Sequence, residues 1–362
     1  MSFTPAPAPI IRVLIADDSA VMRTALSRML GASPQIRVCG TARDGQEVVE
    51  KTKLLQPDVI TLDVEMPVLN GLEALKLIMS ECPCPVIMLS SATREGASVT
   101  IEALSAGAFD YLSKDNFQPG SDSSRMQHDL IEKIEAASHS RISLDPVSLH
   151  PLPFPLTPHA VLQDSLRPVP RIVALGTSTG GPRALQDLLP ELPADFPVAM
   201  LVVQHMPPGF TAPLAKRLDT LSRVKVSEAQ HGEALVPGRV YIAPAGLHMT
   251  LVRSPRQVSL CLSDTPSGTL HKPSVDVTML SVAEVFGHYA MGIILTGMGS
   301  DGLRGMTAIH EAGGLTIGQD EASSVVYGMP RCCAERGILQ QVVPLSRVTA
   351  HILRAVHYIP RM

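Results

Sequence analysis

The serine at position 178 has the sequence context of a catalytic nucleophile. It lies at the centre of a G-x-S-x-G pattern, after the apolar segment RIVAL and before the helical segment PRALQDLLPEL. A serine in such a strand–turn–helix context presents its Oγ at the end of the strand. Free N–H groups at the start of the following helix can bind a developing oxyanion. The pattern therefore favours nucleophilic chemistry at Ser178.

A base and an acid for this serine follow two other apolar segments. His205 ends the segment VAMLVVQH, and Asp301 lies in a glycine-rich turn after MGIILTG. Because the carboxyl ends of parallel strands meet at one edge of a sheet, we expect these side chains to lie beside Ser178. A serine nucleophile needs a general base, and the imidazole needs a carboxylate that orients it. The three residues predict a serine hydrolase.

Two other interpretations of the glycine-rich turn are considered. Such turns also bind phosphates, so a ligand-binding loop at residues 176–181 is the alternative to a nucleophile. A dinucleotide site is disfavoured because it expects G-x-G-x-x-G and an acid at the next strand end, where this chain has Gln204 and His205. The order Ser…His…Asp also differs from the Ser…Asp…His order of α/β-hydrolases, so the pattern does not predict that fold.

Acidic residues follow apolar segments in the first half of the chain. Asp17 and Asp18 come directly after IRVLIA, and Asp63 ends DVITLD. Three carboxylates at one sheet edge would repel one another unless a cation lay among them, and their oxygens suit Mg²⁺. An aspartate can also act as a nucleophile and form an acyl phosphate. Ser90 ends the fourth apolar segment and Lys114 follows the fifth, which supplies a hydroxyl and an ammonium for phosphate oxygens.

The elements that must position these residues alternate between short apolar strands and amphipathic helices. This alternation predicts an α/β fold with parallel sheets in two domains, residues 10–137 and residues 169–360. Between them, residues 138–168 are rich in proline and carry no apolar period, which predicts an extended linker. The second domain is expected to be doubly wound and mainly parallel, with a small hairpin-like antiparallel portion around 239–263.

Composition excludes several classes of protein. The chain has 30 basic and 34 acidic side chains, a net charge of −4, which does not favour nucleic-acid binding. Its apolar segments are shorter than the ~18 residues of a membrane span, so membrane insertion is not expected. The six cysteines lack the spacing of a zinc site and are expected to be free thiols in a soluble, cytoplasmic protein.

Residues 10–137 resemble the receiver domain of two-component response regulators. The matching segments are LIADDSAVMR, DVITLDVEMPVLNGLEAL, PVIMLSS and AGAFDYLSKD. The resemblance implies a flavodoxin-like (βα)5 fold, phosphorylation of Asp63 by a sensor histidine kinase, and Mg²⁺ as the cofactor of that step. It implies Mg²⁺ ligands at Asp18, Asp63 and the carbonyl of Glu65, in the cluster that includes Asp17. It also implies switch residues at Ser90, Tyr111 and Lys114. Asp115 stands where the family usually has proline.

Residues 171–357 resemble the catalytic domain of chemotaxis protein-glutamate methylesterases. The matching segments are GTSTGGPRAL, VVQHMPPGFT, VYIAPAGLHM, HKPSVDV and LTGMGSDG. The resemblance implies Ser178 as nucleophile, His205 as base and Asp301 as orienting acid, with backbone at Thr179 and Met298 binding the oxyanion. Ser300 replaces an asparagine that is frequent in the family. Residues in HKPSVDV are expected to shape the cleft: His271, Ser274 and Asp276.

The two resemblances together imply an enzyme of chemotaxis. It would demethylate glutamate methyl esters on the cytoplasmic helices of chemoreceptors and deamidate receptor glutamines, with no cofactor for hydrolysis. The unphosphorylated receiver would cover the active site, and phosphorylation would uncover it. The alternative is a non-catalytic response regulator that binds a phosphate-bearing ligand or a partner through the 176–181 loop, which leaves His205 and Asp301 without a role.

Overall fold

The chain divides into two compact units, Met1–Ser143 and Leu144–Met362. The computed structural model describes residues 10–91, 93–114, 123–139 and 168–359. Asp115 and most of the predicted linker, residues 140–167, lie outside the described residues. The described part of the first unit ends in a helix that runs to His139, two residues into the predicted linker. The domain limits predicted from the sequence therefore stay a prediction.

The first unit alternates strictly between strands and helices. In chain order these elements are β1 (Ile11–Ala16), α1 (Ala20–Leu30), β2 (Ile36–Ala42), α2 (Gly45–Leu55), β3 (Val59–Asp63), α3 (Gly71–Glu81), β4 (Val86–Ser90), α4 (Arg94–Ser105), β5 (Asp110–Ser113) and α5 (Ser123–His139).

The strands of the first unit form one parallel sheet in the order β2-β1-β3-β4-β5. Strands β3 and β4 are buried along their whole length, which explains why they are continuous apolar runs. Side chains cap the helix starts at the sheet's carboxyl edge: Ser19 accepts from Met22 N, and Asn70 and Glu73 form a capping box. The strand order is that of the flavodoxin-like fold, as predicted.

The second unit is a larger α/β arrangement. Its elements are β6 (Ile172–Thr177), α6 (Gly181–Leu188), β7 (Ala199–Gln204), α7 (Thr211–Leu221), β8 (Lys225–Glu228), β9 (Arg239–Ile242), β10 (His248–Arg253), β11 (Val258–Ser263), α8 (Val275–Phe286), β12 (Ala290–Ile294), α9 (Leu303–Glu311), β13 (Leu315–Gln319), α10 (Met329–Glu335), β14 (Gln341–Val343) and α11 (Leu345–Ala355).

Seven strands of this unit form a parallel sheet in the order β14-β13-β12-β6-β7-β9-β8. The chain starts at β6, moves outward through β7, and later returns to place β12 on the other side of β6. The strand order therefore reverses at β6, and ligands of open α/β sheets bind at such a point. Strands β6, β7 and β12 are fully buried, so their side chains build the core and their carboxyl ends form a fixed edge.

The antiparallel portion is smaller than the sequence predicted. Among the strands of the described residues, the antiparallel pair is β10 and β11, from His248 opposite Ser263 to Arg253 opposite Val258. A single antiparallel bridge also joins Ala234 to Ser259. Strand β9, expected within this hairpin, instead lies parallel between β7 and β8. All six cysteines are free thiols, as predicted. Among the described residues, no helix is both long enough and apolar enough to span a membrane.

Candidate active site

The turn after β6 holds Ser178 at the reversal point of the second sheet. Ser178 N donates to the carbonyl of Thr296 at 3.0 Å, and Gly181 N donates to the carbonyl of Ser178 at 2.8 Å. Gly180 has a φ of 78°, in the left-handed region, and a Cβ there would lie 2.6 Å from Cβ of Val325. Only glycine satisfies both the conformation and the space at this position. The G-x-S-x-G pattern thus forms a tight strand-to-helix turn.

His205 follows the neighbouring strand. Strands β6 and β7 pair in register up to Thr177 opposite Gln204, and His205 N donates to the carbonyl of Thr177 at 3.1 Å. The Gln204 side chain is buried, and its Nε2 donates to the carbonyls of Ser178, at 2.9 Å, and His205, at 3.0 Å. Gln204 ties the backbone of the two predicted catalytic residues together. Its only signal in the sequence was a polar residue at the end of an apolar strand.

The imidazole of His205 contacts the carboxylate of Asp301. Nε2 lies 2.7 Å from Oδ2 of Asp301, and both side chains are largely buried. Nδ1 is buried and has no hydrogen-bond partner among the described residues. The ring of His271 stacks on the His205 ring, with centroids 4.0 Å apart and planes inclined by 15°. A proton on Nε2, assigned from the bond to Asp301, leaves the Nδ1 lone pair available as a base.

The Asp301 carboxylate is held by the start of α8 as well as by His205. It accepts from Oγ of Ser274 at 2.9 Å, from Val275 N at 2.8 Å and from Asp276 N at 3.0 Å. Burial alone would raise the pKa of Asp301, but the hydrogen bond and charge of His205 and the helix N–H groups hold it well below its usual range. Asp301 is therefore an anion, fixed in orientation, that can stabilise an imidazolium.

Of the two residues predicted to bind the oxyanion, Thr179 is next to Ser178 in the sequence, whereas Met298 belongs to a segment that approaches Ser178 in space. Thr179 follows it directly in the turn and is buried. Met298 follows Gly297, whose backbone approaches so closely that a Cβ there would lie 2.8 Å from Cβ of Ser178. The carbonyl of Gly297 accepts from Met329 N at 2.8 Å, which fixes the approach. That the N–H groups of Thr179 and Met298 bind an oxyanion stays a prediction.

The acids of the first unit form a cluster at the carboxyl edge of its sheet. Carboxylate oxygens of Asp17, Asp18 and Asp63 all lie within 4.8 Å of one another. Asp17 and Asp63 are buried, whereas Asp18 is exposed. Lys114 Nζ lies 2.8 Å from Oδ2 of Asp17 and 2.6 Å from Oδ2 of Asp63. The structure thus brings together the predicted acids and the predicted lysine.

The electrostatics of this cluster depend on burial and on Lys114. Burial raises the pKa of Asp63 from 3.8 to about 6, against the opposing effect of the Lys114 ammonium. For Lys114, burial disfavours the charge, but the hydrogen bonds to Asp17 and Asp63 outweigh it and raise the pKa. Two carboxylate oxygens of the cluster pair with this ammonium, and oxygen donors of this kind are the ligands that Mg²⁺ prefers. Glu65 N donates to Oδ1 of Asp63 at 3.2 Å, so the fourth predicted ligand residue borders the cluster.

The predicted switch residues occupy neighbouring strands. Ser90 ends β4 and is buried, and its Oγ donates to the carbonyl of Ser91 at 3.2 Å. Tyr111 lies in β5 opposite Met88 and is buried, which raises the pKa of its phenol well above the usual value. Arg23, which the sequence did not reveal, donates to the carbonyls of Asp17, at 2.7 Å, and Asp18, at 2.9 Å.

Comparison with known proteins matches both halves of the chain to described families. The family model described as CheB methylesterase matches residues 173–352, and the model described as response regulator receiver domain matches residues 13–120. A protein-glutamate methylesterase/protein-glutamine glutaminase of Desulfitobacterium hafniense (strain Y51) is 44% identical over 382 aligned residues, covering 96% of this chain and 97% of the relative. This chain belongs to the CheB methylesterase family.

Further relatives agree with this assignment. The protein of the same description from Bacillus subtilis (strain 168) is 42% identical over 351 residues, covering 96% of this chain and 98% of the relative. The crystal structure of the Thermotoga maritima CheB methylesterase catalytic domain has a TM-score of 0.50 and 40% identity, covering 51% of this chain and 98% of that chain. The family resemblance expected from the sequence motifs is confirmed over both halves of the chain.

Proposed function

We propose that Ser178, His205 and Asp301 carry out the protein-glutamate methylesterase reaction of this chain. The observation that carries the proposal is the 2.7 Å contact between Nε2 of His205 and Asp301, which leaves Nδ1 as the basic nitrogen. Ser178 follows the strand next to that of His205, at the point where the strand order reverses. A non-catalytic ligand loop at 176–181 would give this buried histidine–carboxylate pair no role.

The first half of the proposed reaction forms an acyl-enzyme. Ser178 Oγ attacks the carbonyl carbon of a γ-glutamyl methyl ester while Nδ1 of His205 takes the hydroxyl proton. Asp301 stabilises the resulting imidazolium, and the N–H groups of Thr179 and Met298 bind the oxyanion. The imidazolium then returns the proton to the leaving methoxide, and methanol departs. General-base help contributes a factor of about 10²–10⁴ and an oxyanion donor about 10²–10³ in rate.

The second half hydrolyses the acyl-enzyme. Nδ1 of His205 takes a proton from water, whose oxygen attacks the acyl carbon, and Ser178 leaves with the proton that His205 returns. The product is a glutamate carboxylate. A glutamine amide passes through the same intermediate with ammonia as the leaving group, which gives the glutaminase activity. This second half needs no further catalytic residue, because Nδ1 of His205 and the carboxylate of Asp301 act in both halves of the reaction.

The receiver unit is proposed to control this reaction through Asp63. Phosphoryl transfer from a sensor histidine kinase forms an acyl phosphate on Asp63. Mg²⁺ would be held by Asp18, Asp63 and the carbonyl of Glu65, beside Asp17, and supplies the positive charge that neutralises the phosphoryl oxygens. Lys114 contacts the phosphoryl group as an ammonium. Ser90 and Tyr111 are the proposed switch residues, whose conformations change on phosphorylation of Asp63.

The unphosphorylated receiver is proposed to inhibit hydrolysis, and phosphorylation of Asp63 is proposed to relieve this inhibition. For this, the phosphorylated protein needs to favour the active arrangement by only a few kcal/mol. The substrates are methylated glutamates on the cytoplasmic helices of chemoreceptors, and the protein acts in the cytoplasm.

Methanol release from methylated receptor tests the proposal. The full chain is assayed with and without a small acyl-phosphate donor and Mg²⁺, beside Ser178→Ala and Asp63→Asn. We expect hydrolysis to vanish in Ser178→Ala and its stimulation to vanish in Asp63→Asn. A fluorophosphonate should label Ser178 in wild type but not in His205→Ala. Methanol release by Ser178→Ala at the wild-type rate would exclude Ser178 as the nucleophile.

A further inference from the structure

Two aspartates cap each other's helices beside the candidate catalytic pair. The carboxylate of Asp301 accepts from Val275 N and Asp276 N at the start of α8. In return, Oδ1 of Asp276 accepts from Gly302 N at 3.0 Å and from Gly305 N at 2.9 Å at the start of α9. Asp301, which lies just before α9, therefore caps the start of α8. Asp276, which lies in the first turn of α8, caps the start of α9.

This exchange compensates for an unusual start of α9. The residue before its first turn is Gly302, with a φ of 102°, and no side chain of its own caps the helix. The first N–H groups of a helix need acceptors, and a carboxylate there also interacts favourably with the helix dipole. Asp276 supplies that acceptor from α8. The two helices pack closely enough for this, because a Cβ at Gly305 would lie 2.4 Å from Cβ of Met279.

We propose that Asp276 is a positioning residue for the Asp301–His205 pair, an inference that rests on the proposed catalytic role of that pair. Asp276 fixes the backbone that directly follows Asp301, through Gly302. With this backbone fixed, Oδ2 of Asp301 faces Nε2 of His205 while Oδ1 accepts from Ser274 and Asp276. Loss of the Asp276 acceptor would free the turn, and the carboxylate of Asp301 would no longer hold one orientation.

The contacts also define which property of Asp276 matters. Both N–H groups bond to the same oxygen, Oδ1, so an acceptor is needed there and a second carboxylate oxygen is not. Burial raises the pKa of Asp276, so its surroundings do not favour the charge. An asparagine presents the same acceptor at the same place. Asp276→Asn should therefore preserve the positioning, and Asp276→Ala should remove it.

The test compares these two variants in the full chain with wild type, using Glu284→Ala as the matched control. Glu284 is an exposed acid on the same helix. Steady-state hydrolysis of methylated receptor is measured from pH 5 to 9. Hydrogen exchange at Gly302 and Gly305 is followed in parallel, because these amides report the cap directly.

We expect Asp276→Ala to lower kcat by about 10- to 100-fold with KM within about threefold, because the missing interaction matters in the transition state. The acidic limb of its pH–rate profile should move to lower pH, since a misoriented Asp301 stabilises the imidazolium less. Exchange at Gly302 and Gly305 should accelerate. Asp276→Asn and Glu284→Ala should keep kcat within about threefold of wild type, with the wild-type pH profile.

Two outcomes would overturn the proposal. One is a folded Asp276→Ala protein that exchanges fast at Gly302 and keeps wild-type kcat. The other is a folded Asp276→Asn protein whose kcat falls at least about tenfold below wild type, which would mean that the charge rather than the acceptor matters; this comparison with wild type is decisive even if Asp276→Ala does not fold. Hydrolysis by Ser178→Ala at the wild-type rate would instead contradict the proposed nucleophile, while the comparison of Asp276 variants with wild type would still stand.

Discussion

Nε2 of Gln204 donates to the carbonyl of Ser178 at 2.9 Å, and thereby links the turn of the proposed nucleophile to the strand that carries the proposed base, His205. The same nitrogen donates to the carbonyl of His205 at 3.0 Å. The side chain is almost completely buried, so water cannot replace these bonds if the amide is removed. The distance between Ser178 and His205 therefore depends on a third side chain that does not take part in the chemistry.

Replacing this amide should lower both rate and stability. In Gln204→Leu, the partly buried carbonyls of Ser178 and His205 lose the Nε2 donor, and the Ser178 carbonyl keeps Gly181 N. This loss costs about 1–3 kcal/mol of unfolding free energy. We expect kcat to fall about tenfold, because the backbones of Ser178 and His205 lose the side chain that hydrogen-bonds to both. Urea unfolding and the rate of fluorophosphonate labelling measure the two effects. Gln257→Leu, at an exposed position, is the control, and equal labelling rates in the two variants would contradict this role of Gln204.

The Asp301→Asn variant should lose most of its activity although its shape is unchanged. An amide can accept from only one side, so it cannot satisfy His205, Ser274 and the helix N–H groups together. We expect kcat to fall by about 10³–10⁴, as in other enzymes that lose the orienting carboxylate of a triad. Ser300→Asn, at the exposed neighbouring position, should retain wild-type kcat. A loss in Asp301→Asn of less than about tenfold would argue against its orienting role.

A methyl group at Gly297 should disturb the nucleophile directly. The added Cβ would lie 2.4 Å from Sδ of Met329, 2.8 Å from Cβ of Ser178 and 3.0 Å from Ser178 N. Met329 can move, but the backbone of Ser178 cannot move without displacing its side chain. We expect Gly297→Ala to lower kcat about 100-fold.

The control for this substitution is Gly268→Ala, where no described heavy atom lies within 4 Å of the added Cβ. That variant should hydrolyse substrate at the wild-type rate. If Met329→Ala restored kcat in the Gly297→Ala background, the clash would lie with Met329 alone and the close approach to Ser178 would be of no consequence.

The stability of the receiver unit should depend on pH through Asp63. Its pKa rises from 3.8 to about 6 because of burial, so the folded chain binds this proton more tightly than the unfolded chain. Stability therefore falls as the pH rises from about 4 to about 6, and the ionised carboxylate disfavours folding above that window. Asp63→Asn cannot ionise and should stabilise the unit at pH 8 by on the order of 2 kcal/mol.

Calorimetry of the full chain at pH 5 and pH 8, with a chelator to remove Mg²⁺, measures this difference. The stabilisation by Asp63→Asn should be larger at pH 8. Glu50→Gln, at an exposed position in α2, serves as control and should change the transition temperature little at either pH. A stabilisation that is the same at both values of pH would show that the titration of Asp63 is not its source.

Much of the fold and of the site could be predicted because the decisive signals are local. Strands β6, β7 and β12 are fully buried, so each is a continuous apolar run that ends at a recognisable polar or glycine-rich turn. Parallel geometry then brings the residues after those runs to one edge. The placement of Ser178, His205 and Asp301 after these strands needed no further information, and neither did that of the acids after β1 and β3; their catalytic and phosphoryl-transfer roles stay predictions.

The features that escaped prediction depend on partners distant in the chain. The segment Arg239–Ile242 looks like one strand of a local hairpin, yet it pairs with residues of β7 that lie 40 positions earlier in the chain. The three-residue strand β14 is too short to carry a pattern. The exchange of caps between Asp276 and Asp301, and the choice of Nε2 for the contact with Asp301, require side chains in three dimensions. Periodicity carries no information on such contacts.

The order of strands at the reversal point has a consequence for biosynthesis. Ser178 and His205 come from consecutive strands, whereas Asp301 lies 96 residues beyond His205. Contacts between such distant positions form slowly, because a long loop must close before they do. A nascent chain therefore carries its serine and histidine well before the carboxylate that orients them. The proposed hydrolysis therefore requires β12 to have docked beside β6.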